Sequence, residues 1–347
     1  MNNVPFFSIV IPAYNCENTI VSTIRTIQKQ VFTDFELIIV NDGSTDMTKQ
    51  IIENEIKFEE KIKLYSIKNS GPGAARNYGV SKAIGKYLIF VDSDDLVNEK
   101  MLENHSKTLL KKNYDLIVSS YRTSVVDNEH IISQTDTVYP TTEIENKSEF
   151  LTKLYSLMQK QLMYVVWNKV YKLEIIQNNE IQFPSYSSCE DRLFNIRYFN
   201  YIQSCLIKQD ILNEYTFDSK NSLTNKYLPN KFETFLDFYD ELINLTDQNI
   251  QGTNSLFLKG VMSCMMSIHT ADSPLNFSEK YMYIKGILLN ESVIKASKNA
   301  LTDSLVKKIT LMSFKTKNII LNYIVSYGLY KLNHLSPKLL EKIKKRF

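Results

Sequence analysis

The sequence predicts an α/β fold, in which a mostly parallel sheet is flanked by helices and followed by a helical C-terminal region. Apolar runs of strand length alternate with amphipathic helical patterns over residues 1–120 of the 347-residue chain. Three of these runs are apolar at nearly every position, as in strands that are covered on both faces. After about residue 225 the strand signal fades and long amphipathic patterns replace it. Alternation at this spacing is typical of a parallel sheet between two helical layers.

Each element of the first 120 residues follows from its apolar pattern. Strands are predicted at 6–12, 35–40, 63–67, 87–91 and 115–119. Four helices are predicted from apolar residues that share one face, namely Ile20, Ile24, Ile27 and Val31; Met47, Ile51 and Ile52; Ala75, Gly79 and Ala83; and Met101, Leu102, Leu109 and Leu110. Ser44 is expected to cap the second helix. Because ligands of such sheets bind beyond the carboxyl ends of the strands, the polar residues that follow the strands are the first candidates for a site.

The remainder of the chain is less regular at first and then helical. Between 121 and 224 we predict short strands near 121–126 and 205–209, and helices at 148–160 and 190–203. Amphipathic patterns follow at 232–248, 255–270, 278–297 and 303–333. These patterns predict a boundary near residue 225 between a sheet-containing part and a helical part.

Composition excludes several classes of protein. Hydrophobic residues make up 44% and charged residues 23% of the chain, which excludes a disordered or collagen-like protein. A net charge of +3 is too balanced for a dedicated nucleic-acid binder. Four scattered cysteines without a CxxC pair predict reduced thiols and no zinc site. With no signal-peptide pattern and no long apolar run, we expect a cytoplasmic protein.

The acidic sequence Asp92-Ser93-Asp94-Asp95 directly follows the predicted strand at 87–91. Carboxylates crowded at a strand end repel one another, and a divalent cation or another positive group relieves that repulsion. Mg²⁺ and Mn²⁺ prefer carboxylate and phosphate oxygens and often link a protein to a nucleotide diphosphate. The alternative is an ordinary acidic turn in which Asp95 caps the next helix.

Two further loops follow strands. Asp42, in the run NDGSTD at 41–46, could accept hydrogen bonds from a nucleobase or a ribose, although Asp-Gly is also a common turn sequence. The run SGPGAARN at 70–77 opens a helix with glycines, and Arg76 adds a planar cationic group suited to anions. This run is neither a Walker A loop nor a dinucleotide-binding fingerprint, because its spacing and position differ from both.

An acidic pair, Glu190-Asp191, opens a predicted helix, where either residue could serve as a general base. Acids are also favoured at helix N-termini whatever their function. Trp167, the only tryptophan, is expected to be a buried core residue. The four histidines lie outside all of these motifs, which argues against a hydrolytic triad.

Taken together and in this order, the motifs resemble the family 2 glycosyltransferases of bacterial cell-surface polysaccharide synthesis, which have the GT-A fold. The resemblance lies in SIVIPAYN (8–15), FELIIVNDGSTD (35–46), NSGPGAARNYG (69–79), YLIFVDSDD (87–95), WNKVYK (167–172) and CEDRLF (189–194). It implies a catalytic domain over 1–224, with a nucleotide-sugar half at 1–120 and an acceptor half at 121–224. Residues 225–347 are then a helical region that contacts the acceptor, a second subunit or a membrane.

The resemblance also implies roles for individual residues. Nucleotide-sugar binding is assigned to Pro12, Ala13, Tyr14, Asn15, Asp42, Gly73, Arg76, Asp92 and Ser93, with Arg76 beside Asp42 at the uracil. Asp94 is the expected Mn²⁺ or Mg²⁺ ligand together with Asp92, and Asp95 orients the site. Asp191 is the expected base, with Glu190 as the alternative. Relatives often carry Arg or His before a Ser in the segment at 215–224, where this chain offers only Lys220 or Asn221 with Ser222.

The implied reaction is an inverting transfer from a UDP-sugar to a hydroxyl of a glycan or lipid-linked acceptor. Two other classes stay open as alternatives. A module that only binds a nucleotide sugar would keep Asp42, Arg76 and the acidic loop without needing Asp191. A nucleotidyltransferase would share a similar sheet, but it usually has a glycine-rich basic loop after the first strand, and the run PAYN at 12–15 is not one.

The C-terminal region has a membrane-like pattern of its own. Ile319, Ile320, Tyr323, Tyr327 and Tyr330 can share one helix side, and residues 331–347 contain six basic residues and one acidic residue. An apolar stripe beside basic residues suits an anionic membrane surface at the inner face of the plasma membrane. The alternatives are packing of the stripe on neighbouring helices or on the second subunit of a homodimer.

Overall fold

The computed structural model describes residues 4–127, 130–186, 188–218, 227–246, 250–302 and 304–335. The chain divides into two compact units, Met1–Lys220 and Asn221–Phe347. Lys220, Asn221 and Ser222 lie outside the described residues, so the roles predicted for them stay predictions.

The first unit is built on a ten-stranded sheet with helices along the chain between its strands. Its strands are β1 (Phe7–Ala13), β2 (Phe35–Asn41), β3 (Ile62–Ser66), β4 (Tyr87–Phe90), β5 (Leu96–Val97), β6 (Leu116–Asp127), β7 (His130–Thr137), β8 (Thr142–Ile144), β9 (Lys169–Lys172) and β10 (Cys205–Asp218). Its helices are α1 (Ile20–Gln28), α2 (Thr48–Glu55), α3 (Pro72–Lys82), α4 (Met101–Lys111), α5 (Lys147–Gln159), α6 (Leu173–Asn178) and α7 (Glu190–Phe199). The predicted α/β fold is confirmed.

The strand order is β3-β2-β1-β4-β9-β6-β10-β5, with β7 on β6 and β8 on β10. The pairs among β1 to β4 are parallel, and so is the pair of β6 with β10. β9 runs antiparallel between β4 and β6 and joins the two parallel parts. All residues of β1 and β2 are buried, as their continuous apolar runs predict.

Some details of the sequence prediction are wrong. Val31 lies beyond the end of α1 and is 54% exposed, because the helix ends at Gln28. Ser44 does not cap α2, which begins at Thr48; Asp46 Oδ1 accepts a hydrogen bond from the Thr48 N–H there instead. Leu110 is 71% exposed and faces away from the core.

Trp167 is buried, as predicted. It stacks on Tyr215 with ring centroids 5.4 Å apart and meets the edge of Tyr121 at 4.8 Å. It lies two residues before β9 and therefore packs where β9 joins the sheet. Residues 169–172 of the motif at 167–172 thus form a strand.

The second unit is helical, as predicted. Its helices are α8 (Lys231–Leu245), α9 (Ile250–Ser267), α10 (Phe277–Leu289), α11 (Glu291–Asn299), α12 (Leu305–Thr316) and α13 (Ile319–Leu335). The predicted patterns at 278–297 and 303–333 each correspond to two helices, separated at Asn290 and near Lys317. Among the described residues, no helix combines the length and apolar character needed to cross a bilayer.

The tyrosines of the predicted stripe pack within the second unit. Tyr323, Tyr327 and Tyr330 surround the His269 ring, with centroid distances of 4.8, 5.4 and 6.3 Å. Ile320 remains 49% exposed. The three tyrosine rings therefore contact His269 within the unit, although Tyr327 is 43% exposed, and Ile320 faces outward.

Candidate active site

The predicted site residues gather at the carboxyl ends of β1, β2 and β4. Ala13 ends β1 beside Asn41, which ends β2, and the Asp42 N–H donates to the Ala13 carbonyl at 2.8 Å. The acidic loop begins two residues after β4 ends at Phe90. Parallel pairing of these strands brings loops from distant parts of the sequence to one edge of the sheet.

The loops after β1 and β2 hold each other in place. The Asn15 N–H donates to Ser44 Oγ at 3.1 Å, and the Thr45 N–H donates to Asn15 Oδ1 at 2.8 Å. Asn15 has a φ of 45°, a left-handed conformation that Asn tolerates better than most residues. Pro12 and Ala13 are buried, while Tyr14 is 49% exposed. Of these residues, Tyr14 is the one whose ring is open to a ligand.

Asp42 anchors the glycine-rich loop. Its two carboxylate oxygens accept hydrogen bonds from the Ser70 and Gly71 N–H groups, each at 2.8 Å. Gly71 has a φ of +90°, which L side chains rarely adopt, so the loop needs glycine there. Asp42 is 3% exposed, so any contact with a nucleobase would use the lone pairs that these two bonds leave over.

Arg76 joins the acidic loop to the acidic pair of α7. Its Nη2 donates to Asp92 Oδ1 at 2.7 Å and its Nη1 donates to Asp191 Oδ1 at 2.9 Å. Glu190 Oε1 lies 3.6 Å from Nη1. Arg76 is 4% exposed, so these charges interact in a poorly hydrated setting.

The ion pairs of Arg76 are with Asp92, Glu190 and Asp191, and its expected place beside Asp42 at the uracil stays a prediction. Asp42 holds the backbone just before α3, whereas Arg76 lies in the second turn of that helix and points to Asp92 and Asp191. Whether Arg76 also binds the nucleotide is a separate prediction, which these contacts leave untested.

The charge states in this cluster depend on one another. Burial alone would lower the pKa of Arg76, but Asp191, Asp92 and Glu190 outweigh it and raise that pKa well above its usual value. Burial raises the pKa of Asp191 to about 7, against the attraction of Arg76. A carboxylate with a pKa near the working pH suits general-base chemistry.

Asp94 and Asp95, the other two carboxylates of the acidic loop, have raised pKa values even though Arg76 attracts the charge of Asp95. Loss of hydration, and then repulsion by Asp92, raise the pKa of Asp94 to about 6, although its side chain still reaches the surface. Asp95 is 1% exposed, and within the described residues neither of its oxygens has a hydrogen-bond partner. Burial, followed by repulsion from Asp92 and Asp94, raises its pKa well above the usual value.

The carboxylates of Asp94 and Asp92 fit a hard divalent cation that takes most of its ligands from substrate phosphates and water. Asp94 offers accessible carboxylate oxygens, and Asp92 is its acidic neighbour. The described residues contain no group of three or more His, Cys, Asp or Glu side chains that could enclose a metal. Mg²⁺ commonly binds through one or two carboxylates plus substrate phosphates and water, which matches an open site of this kind.

Ser93 and Gly73 serve the framework of the site. The Ser93 carbonyl accepts a hydrogen bond from Thr23 Oγ1 at 3.0 Å, which ties the acidic loop to α1. A Cβ at Gly73 would lie 3.1 Å from Phe183 Cβ and 3.2 Å from the Pro184 carbonyl oxygen. Gly73 therefore lets α3 approach the segment that leads to α7. Direct contacts of Ser93 or Gly73 with a nucleotide stay predictions.

Sequence reasoning missed Lys169, the first residue of β9, which is 1% exposed. Its Nζ donates to the Leu162 carbonyl and to Asn168 Oδ1, both at 2.8 Å, and to the Val165 carbonyl. Burial lowers its pKa to about 7, although Asp191 opposes this shift. The signal was a lysine between Trp167 and Val170 in the run WNKVYK, since an unpaired charge is costly when it is buried.

Comparisons with known proteins bear on the family and the fold of the chain. The sequence model described as Glycosyl transferase family 2 matches residues 8–180. The Bacillus subtilis glycosyltransferase EpsH is 26% identical over 239 residues, which cover 68% of this chain and 67% of EpsH. The Staphylococcus aureus poly(ribitol-phosphate) beta-N-acetylglucosaminyltransferase TarS is 29% identical over 196 residues, which are 55% of this chain and 32% of TarS.

Solved structures support the fold. S. aureus TarS 1–349 in complex with UDP-GlcNAc superposes with a TM-score of 0.69 at 21% identity, covering 94% of this chain and 92% of that one. The mannosyltransferase PcManGT from Pyrobaculum calidifontis, in complex with GDP-Man and Mn²⁺, gives a TM-score of 0.52 at 12% identity, covering 97% and 89%.

Proposed function

Because the chain is a bacterial-type glycosyltransferase of family 2, we propose that it moves a sugar from a UDP-sugar to an acceptor hydroxyl with inversion at the anomeric carbon. The single observation that carries this proposal is the position of Arg76 between Asp92 and Asp191. Direct displacement needs a donor site and a base close together, and the Arg76 guanidinium contacts both Asp92 of the proposed donor site and the proposed base, Asp191.

Asp191 is the proposed general base. Its carboxylate lies at the start of α7 with a pKa raised to about 7, so a large fraction is ionised at neutral pH. As the acceptor oxygen attacks the anomeric carbon, this carboxylate takes the hydroxyl proton. A positioned base contributes about 10²–10⁴ in rate. Glu190 lies farther from Arg76, at 3.6 Å, and is the alternative base.

On the donor side, Asp94 with Asp92 would hold Mn²⁺ or Mg²⁺. When bound, such a cation neutralises charge that develops on the departing diphosphate. Asp92 keeps Arg76 oriented through the 2.7 Å bond, and Asp95 supports the loop from its buried position. Pro12, Ala13, Tyr14, Asn15 and Asp42 would line the nucleotide pocket, with Tyr14 stacking on the base or ribose.

The donor class is proposed from the relatives. The TarS structures with UDP-GlcNAc and with UDP match this chain with TM-scores of 0.69 and 0.65. A UDP-sugar is therefore the first donor class to test, ahead of a GDP-sugar, because the PcManGT match is weaker at 0.52.

The test is UDP release from a panel of UDP-sugars by wild type and by Asp191→Asn. We expect release with at least one donor, loss of about 10²-fold or more in the variant, and retained UDP binding. Asp136→Asn is the control, because that acid pairs with Arg122 on β6 away from the cluster. An Asp191→Asn variant that keeps more than about a tenth of the rate would transfer the role to Glu190.

The same experiment separates the alternatives. A module that only binds a nucleotide sugar would bind UDP-sugar but release no UDP with any acceptor. A nucleotidyltransferase would form a nucleotide-sugar and release pyrophosphate from a nucleoside triphosphate and a sugar phosphate. Either outcome would contradict the proposed transfer.

For the acceptor, we propose a cell-surface glycan or lipid-linked glycan reached from the inner face of the plasma membrane. Ile320, Leu321 and Ile324 are exposed on α13, at 49%, 39% and 60%, and the basic sequence at 331–347 follows. Co-sedimentation with anionic and neutral liposomes tests the contact, since salt screens an electrostatic one. Self-association of the protein without any lipid binding would favour a homodimer through this face.

A further inference from the structure

Asn77 forms a two-point contact with a backbone segment 106 residues away in sequence. Its Nδ2 donates to the Phe183 carbonyl at 2.9 Å, and the Phe183 N–H donates to its Oδ1 at 2.8 Å. The side-chain amide thus satisfies both backbone groups of one residue outside any sheet. Asn77 directly follows Arg76 on α3, so the helix that carries the guanidinium also carries this clamp.

Phe183 connects the clamp to the helix that carries the base. Its ring stacks on the Phe194 ring of α7, with centroids 4.0 Å apart and an interplanar angle of 7°. The Arg76 guanidinium lies over the Phe183 ring, 5.5 Å from its centroid. Phe194 follows Asp191 by one helical turn, so the two side chains share a side of α7.

Neighbouring residues pack closely around the contact between Phe183 and α7. Gly73 lies so close to Phe183 and Pro184 that a Cβ on it would be 3.1 and 3.2 Å from their atoms. Phe90 at the end of β4 meets the rings of Phe183 and Phe194 edge-on, at 5.3 and 5.6 Å. The second turn of α7, which carries Phe194, is therefore held against α3 and β4 through Phe183.

We propose that Asn77 is a positioning residue for the general base: by holding the main chain of Phe183, it sets α7 so that Asp191 reaches Arg76 and the donor site. The inference rests on the proposed function of Asp191. Asn77 lies outside the set of residues assigned to donor, metal or proton transfer. A shift of the base by about 1 Å can cost up to about 10²-fold in rate, so loss of the clamp acts on turnover more than on donor binding.

The test compares Asn77→Ala, which loses both bonds, with Asn77→Asp, which keeps only the acceptor and turns an anion toward the Phe183 carbonyl. For both we expect kcat to fall about 10-fold to 100-fold, with the UDP dissociation constant changed by less than about threefold. The control is Asn179→Ala, whose amide donates to the Ile175 carbonyl at 2.8 Å within its own turn. If Asn77→Ala does not fold, Asn77→Asp carries the comparison.

A double-mutant cycle separates positioning from general stability. Asn77→Ala adds little to the loss in Asp191→Asn if it acts through the base, whereas full additivity would overturn the proposal. An unchanged kcat, or a UDP affinity that falls as much as kcat, would also overturn it.

Hydrogen exchange measures the effect of the Asn77–Phe183 clamp on local opening, independently of enzymatic activity. Asn77→Ala should speed exchange over residues 183–199 and leave β1 unchanged, and equal exchange over 183–199 would contradict the clamp. If wild type itself releases no UDP while exchange responds as expected, the proposed function fails and the clamp stands.

Discussion

Arg76 in the first unit and His269 in the second are both buried, but the structure accommodates them in opposite ways. In the first unit Arg76 is 4% exposed and stays charged, held by Asp92, Glu190 and Asp191. In the second unit His269 is 8% exposed, burial lowers its pKa to about 4, and it pairs as a neutral ring with Ser326 Oγ at 2.9 Å. Burying a charged group is costly unless the charge is paired. A buried ionic cluster therefore indicates a chemical role, whereas a buried neutral pair indicates a packing role.

The same contrast appears in other buried pairs of the second unit. Tyr239 donates to Asn254 Oδ1 at 2.6 Å, and Thr246 and Thr253 share a hydrogen bond of 2.8 Å. These groups are uncharged at neutral pH and have short-range partners within neighbouring helices. Stability of the second unit is therefore expected to depend on shape, and that of the first on charge.

The largest expected effect is that of Arg76→Met. It leaves three acids facing one another without their cation, so the free energy of unfolding should fall by about 3–5 kcal/mol and transfer should be lost. The control is Arg25→Met, because Arg25 pairs with Glu55 at the surface with its side chain 59% exposed. Denaturant unfolding of both variants is the measurement. Equal losses would end the distinction between buried and surface charge.

Next is Asp94→Ala with and without a chelator. We expect transfer to fall about 100-fold or more, because a divalent cation contributes several kcal/mol to transition-state stabilisation. Asp34→Ala is the control, since Asp34 precedes β2 at the other end of the strands. The rate of UDP release is measured with Mn²⁺ or Mg²⁺ and with excess chelator. Full wild-type activity in chelator would remove the metal from the proposal.

In the second unit, Gly260→Ala tests dependence on shape. A Cβ there would lie 2.2 Å from two atoms of the Phe235 ring, so overpacking should lower the free energy of unfolding by about 1–3 kcal/mol. Gly286→Ala is the matched control, because nothing lies within 4 Å of its Cβ. That change should stabilise α10 by up to about 1 kcal/mol. The opposite signs are read from thermal or denaturant unfolding.

The smallest effect is a pH dependence of the first unit. Asp191 must be ionised to act as a base and its pKa is raised to about 7, so kcat should fall as the pH drops below that value. A single ionisation gives about a tenfold loss per pH unit on the acid side and a plateau above. Glu190→Gln should retain this fall in kcat at low pH. If the fall disappears in Glu190→Gln, the titrating group is Glu190.

The parts of the fold visible in the sequence are those with continuous local patterns. β1 and β2 are apolar at nearly every position, and α4 and α5 have clear helical spacing. Strands β7 and β9 were not predicted, because His130–Thr137 is mostly exposed and polar, and the four-residue β9 begins and ends with a lysine. Their pairing with β6 and β4 overrides weak local preference.

The site divides in the same way. The motifs at 12–15, 41–46 and 92–95 could be predicted to meet, because they follow parallel strands. The contact of Arg76 with Asp191, 115 residues apart, could not be predicted from spacing. Neither could the Asn77–Phe183 clamp, since no periodic pattern connects α3 to the segment before α7.

By itself the sequence determined the α/β class, the family and the edge of the sheet where the candidate residues gather, because strand patterns and loop motifs are local in the chain. Only the tertiary structure decided that Arg76 pairs with Asp92 and Asp191, and that the tyrosines of α13 pack around His269. The physical reason is that burial and ion pairing depend on which distant segments meet, and desolvation then sets the charge of each group that they enclose.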